Sequence, residues 1–159
     1  MLTDTDRAAL LALGDNWIVR TDNDGKSYNG FRWAPVGEWT WAPDWKDTDE
    51  CGYGLHGQGP DGYGYAQSGT RFVFCETSGP RRTIDGNKIK VQRARILYTG
   101  SQALAALVFL CPNFPGSLDL RGCDLTGIAL PQTVGGWLNL SGCDLAGVTL
   151  PRVGGEIYK

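Results

Sequence analysis

A chain of 159 residues and 17.2 kDa has room for one ordinary domain, or for one domain with a small appendage. Hydrophobic residues at 42% and charged residues at 20% can build a core and exclude a disordered tail, while 23 glycines exclude a helical bundle. The net charge of −2 conceals a segregated pattern: residues 1–79 carry 12 acidic and 6 basic side chains, and residues 80–100 carry 6 basic side chains against Asp85. This basic stretch is expected to be a solvated strand face balancing its acidic neighbours. Direct nucleic-acid binding is the lesser expectation, since no helix-turn-helix, zinc-finger or RNA-recognition pattern accompanies it.

Residues 3–13 predict a short amphipathic helix, capped by Thr3 or Thr5 and ended at Gly14. Trp17-Ile-Val-Arg20 predicts a strand, and Asp22-Asn-Asp-Gly25 a turn. A second extended region runs through Phe31 and Trp33 to Trp39-Thr-Trp41, where the two tryptophans share a face by strand alternation. Residues 51–65 hold too many glycines for a helix or a long strand. Residues 71–76 and 88–98 predict two further strands joined by a loop at 79–86, and Ser101 is expected to cap a helix over 102–110. The fold class that follows is α+β for residues 1–112: a twisted, mainly antiparallel sheet with two short helices.

The pattern changes from Gly116. Residues 118–131 recur as 138–151 with nine of fourteen positions identical, and Val134-Gly-Gly136 recurs as Val153-Gly-Gly155. A repeat of about 20 residues predicts a short β-solenoid of about two coils over residues 113–159. Leu118, Leu120, Leu125 and Leu130 should point inward, with Leu138, Leu140, Leu145 and Leu150 beneath them. Asp124 and Asp144 should accept backbone N–H bonds in the turns. Two coils bury too little on their own, so one end is expected to dock on the first domain, through the 101–110 helix.

Candidate chemistry concentrates in Cys51-Gly-Tyr-Gly-Leu-His56-Gly57, which holds the single histidine. A Cys–His couple can perform nucleophilic catalysis if the two side chains meet. The simpler reading is a histidine that fixes a glycine-rich turn beside a packed cysteine. Cys51 and His56 are the catalytic candidates that this motif offers. Five cysteines without CxxC spacing are expected to be reduced thiols in a cytoplasm, and no metal site is expected. The start of the chain lacks the basic and apolar runs of an export signal, and no apolar run approaches the roughly 18 residues of a membrane span. Seven aromatics fall within residues 33–65, of which Trp45, Tyr53, Tyr63 and Tyr65, set in loops, are the expected binding residues.

Gly30-Phe-Arg-Trp33, Ala42-Pro-Asp-Trp45 and Cys51-Gly-Tyr-Gly-Leu-His56-Gly57 resemble an uncharacterised bacterial and phage family that carries a Cys-Gly-x-Gly-Leu-His-Gly motif. The tail is similar to short leucine-rich or pentapeptide-like coils of phage and plasmid proteins. These resemblances imply a mobile-element context, with a small cytoplasmic protein that binds and disables a host defence system such as a CRISPR effector complex. A non-enzymatic protein-binding module without cofactor is therefore the leading expectation. Its partner would be a host protein or complex, including a nucleic-acid-binding one. A looser similarity links Gly54-Leu-His-Gly, Gly64-Tyr-Ala66 and residues 71–76 to ADP-ribosyltransferases, although no Ser-Thr-Ser strand and no Glu-x-Glu motif follows. It implies the alternative: an NAD-using or Cys/His-dependent enzyme, or a degenerate relative of one, with Glu76, the only acidic residue near a plausible strand, joining Cys51 and His56 as a catalytic candidate.

Overall fold

The computed structural model of the chain describes residues 1–27, 29–60, 71–86 and 88–159. Helix α1 (Asp4–Ala12) starts in a capping box: Thr3 accepts from the Asp6 N–H, and the Asp6 carboxylate accepts from the Thr3 N–H at 2.8 Å. Gly14 at φ 55 follows its end, as the sequence predicts. Five strands form one antiparallel sheet: β1 (Trp17–Asp22), β2 (Trp39–Trp41), β3 (Leu55–Gly57), β4 (Arg71–Ile84) and β5 (Lys88–Thr99). The order is β1-β4-β5-β2, and β3 lies beside β2 along the same edge of β5. Gln58, just past β3, exchanges two 2.7 Å backbone bonds with Val19 of β1. The sheet thus curls until its ends meet, around Ile18, Trp33, Leu55, Val73, Cys75 and Ile89.

The hairpin departs from the expected loop over 79–86. Strand β4 continues through that stretch to Ile84, and the connection shrinks to the three residues before its partner Lys88, of which Asp85 and Gly86 take positive φ. A register shift between Ser78 and Arg81 makes this possible: Gly79 takes φ 82, and Pro80 sits where no ladder N–H is required. Helix α2 (Ser101–Leu110) begins one residue earlier than predicted. Its N-cap is Gly100 at φ 60, with no side-chain cap, in place of the expected Ser101.

The repeated segment forms two three-stranded parallel sheets from two-residue strands. One sheet joins β6 (Asn113–Phe114), β8 (Thr133–Val134) and β10 (Arg152–Val153); the other joins β7 (Leu118–Asp119), β9 (Leu138–Asn139) and β11 (Ile157–Tyr158). Pairing begins at Asn113, ahead of the visible sequence repeat, and the second offset is one residue shorter than the first (Asn113, Thr133, Arg152). Leu118, Leu120, Leu125, Leu130, Leu138 and Leu140 are buried as expected, Leu145 is half-buried and Leu150 is 37% exposed. The Asp124 and Asp144 carboxylates each accept a 2.9 Å bond from the backbone two residues on. One apolar cluster runs from Leu10, Trp17, Phe72 and Phe74 through Leu104 and Leu107 of α2 to Leu118, Leu120 and Leu138.

Candidate binding face and the Cys51–His56 loop

The glycines of the Cys51–Gly57 motif have steric reasons. A side chain at Gly57 would strike Ile18 and the Val19 carbonyl where β3 closes on β1, and one at Gly54 would strike the Lys90 stem. Strand β3 then sets His56 opposite Lys90 in register. Lys90 is wholly buried; its ammonium donates to the Glu50 carbonyl at 3.0 Å and stands 5.6 Å from the Trp45 ring centre.

Among the described residues no hydrogen bond joins the three catalytic candidates, although Lys88 neighbours both Cys51 and His56. The exposed Cys51 Sγ accepts from Lys88 Nζ at 3.3 Å, not from His56. His56 Nε2 is buried with no hydrogen-bond partner among the described residues. Burial lowers the His56 pKa, and Lys88, Lys90 and Arg20 lower it further against a weaker pull from Asp44. Glu76 accepts both Nε and an Nη of Arg95, the former at 3.0 Å, so its carboxylate is neutralised. The neighbouring Cys75 projects to the opposite side of β4, where burial pushes its thiol up to about 12 and suppresses the nucleophilic thiolate. Among the described residues no group of three His, Cys, Asp or Glu stands close enough to hold a metal ion.

Of the expected binding aromatics, Trp45 and Tyr53 lie in one loop, where the Lys46 N–H donates to the Tyr53 carbonyl at 3.2 Å. Trp45 is half-buried against the sheet core, and Tyr53 is 37% exposed at φ 54 with the Lys46 ammonium 3.8 Å from its ring centre. Tyr63 and Tyr65 lie outside the described residues.

An open patch forms elsewhere, from residues that share one sheet face. Register places Trp17, Glu76, Arg95 and Trp39 in one row across β1, β4, β5 and β2, and Ser78, Arg93 and Trp41 in the row two residues on. Trp17 stacks on Phe74 at 5.5 Å within the core, so that end of the row is closed. At the other end Trp41 is 54% exposed. The Arg93 guanidinium lies 4.8 Å from both the Trp39 and the Trp41 ring centres, and that of Arg95 lies 5.0 Å from Trp39. Arg93 also donates to Ser78 Oγ at 2.8 Å. Each such stack is worth about 0.5–1 kcal/mol at an exposed site, enough to hold four long side chains in one geometry. The signal in the sequence is the i, i+2 spacing of Trp39/Trp41 and of Arg93/Arg95; what it lacks is the pairing of two strands more than fifty residues apart.

No protein family, curated protein or solved structure matches the chain.

Proposed function

We propose that the chain is a non-enzymatic protein-binding module whose contact surface is the Trp39–Trp41–Arg93–Arg95 sheet face. The observation that carries this reading is a tryptophan 54% exposed beside stacked arginines on a regular sheet. Exposed aromatics are costly in water and lose little entropy on binding when already immobilised. Tryptophan and arginine are also the residue types that dominate contact energies between proteins. The repeated segment is then a short β-solenoid of about two coils, a stiff flank to the sheet domain. The Cys51–His56 loop acts as a structural clasp, because its thiol and imidazole each face lysines and not one another.

The mobile-element resemblance of the Cys-Gly-Tyr-Gly-Leu-His-Gly motif supports a host defence complex as the partner and the cytoplasm as the place of action. Capture from a bacterial host lysate tests the reading. Wild-type protein should retain a stoichiometric partner, and Trp41→Ala should lose it by about tenfold in affinity or more, the scale of a hot-spot truncation. Equal capture by both proteins would overturn the assignment of this face.

A further inference from the structure

We infer that the Trp39–Trp41–Arg93 face takes an extended peptide segment presenting one acidic side chain between apolar ones. This deepens, and rests on, the protein-binding reading above.

Charge within the patch decides the ligand's sign. Glu76 cancels Arg95, whereas among the described residues Arg93 has a serine hydroxyl and two indole rings as its neighbours and no carboxylate. One uncompensated guanidinium therefore remains, fixed by two rings and a hydrogen bond, with N–H groups left over for an acceptor. A stacked guanidinium keeps its planar fork and suits a carboxylate, while the indoles beside it suit aliphatic or aromatic neighbours.

Two features favour a polypeptide over a nucleic acid. The sequence order of the sheet leaves β2 at an edge: among the described residues no strand pairs with its outer side. The backbone there offers donors and acceptors that an extended peptide can use by strand addition. A nucleic acid would instead need several uncompensated cations along its phosphates, and the rows hold one.

The test uses the full chain and three labelled probes: the peptide Thr-Val-Thr-Glu-Thr-Val-Thr, whose valines share the face of its glutamate when extended, its counterpart with Gln for Glu, and a short oligothymidylate. Binding is read by anisotropy and by the tryptophan emission of the protein. The Glu peptide should bind saturably, and the Gln peptide and oligothymidylate about tenfold more weakly or not at all. Arg93→Gln should erase the difference between the two peptides. Arg93→Lys, which keeps the charge and loses the planar fork, should reduce it several-fold with the fold intact by circular dichroism. Equal binding of the two peptides, preference for the oligothymidylate, absence of saturation, or a Glu preference that survives Arg93→Gln would each overturn the inference. Lysate capture that depends on Trp41 but not on Arg93 would keep this face as a protein contact and remove its acidic ligand.

Discussion

The imidazole of His56 stands among cations, with Lys90 opposite it and Lys88 and Arg20 near enough to oppose its protonation, while Asp44 favours it more weakly. Its folded pKa lies below the ordinary 6.5. Between those two values the unfolded chain binds more protons than the folded one, so stability rises with pH there. The contribution is complete above 6.5 and is lost as pH falls through 6.5 towards the lower folded value. Thermal melts from pH 8 to pH 5 should show Tm falling through this window, and His56→Gln should flatten the fall. An unchanged pH profile in the variant would show that His56 is not the group responsible. The capped carboxylates act in the same direction at lower pH: Asp6 and Asp124 are held below their ordinary value by hydrogen bonds from Thr3 and Thr126, respectively, and give up that stability only under stronger acid.

Neighbouring rungs of the repeated segment pack backbone against backbone. A Cβ on Gly136 would collide with Ser117 Oγ, which accepts the Trp137 N–H at 3.0 Å, and a Cβ on Gly135 would collide with the Pro115 carbonyl. Gly136→Ala should therefore cost about 1–3 kcal/mol, the range of an overpacked interior, while Thr149→Ala at an exposed position should cost about 0.5 kcal/mol or less. Urea titrations of the two variants check this, and equal midpoints would remove the steric account. The Val-Gly-Gly recurrence was thus legible as a repeat, and so were α1, β1, six of the eight inward leucines and the Asx turns at Asp124 and Asp144. Each of these depends on spacing within a few residues or on self-similarity. The bulge that extends β4 was not legible, because Gly79-Pro80 reads locally as a loop and only pairing with β5 keeps it in the sheet. The Trp–Arg face was hidden for the same reason. Its members come from three strands, and the register that aligns Trp39 with Arg95 and Glu76 is a property of the assembled sheet.

Among the described residues, Trp17, Phe72 and Phe74 at the covered end of the sheet's outer face, both helices and every leucine of the two repeats but Leu150 belong to a single apolar cluster. Leu118 and Leu120 of the repeat, Leu104 and Leu107 of α2, and Phe72 and Phe74 of β4 are buried in this one cluster, so the two segments exclude water from the same interior. Helix α1 is held to this body by Leu10, by the Tyr98 hydroxyl that donates to Asp6 at 2.8 Å, and by Arg7 over the Phe109 ring at 5.3 Å. A shared interior couples the segments thermodynamically, because unfolding either one exposes apolar area belonging to the other. The expected consequence is one transition, seen alike by far-ultraviolet circular dichroism and by tryptophan fluorescence. Leu120→Ala, at a fully buried position in the repeat, should destabilise the entire chain by about 2–5 kcal/mol and lower both signals together. Leu150→Ala, where the side chain is 37% exposed, should cost about 1 kcal/mol or less. Two separate transitions, with Leu120→Ala moving one and sparing the other, would mean that the repeat and the sheet fold as independent units despite their common core.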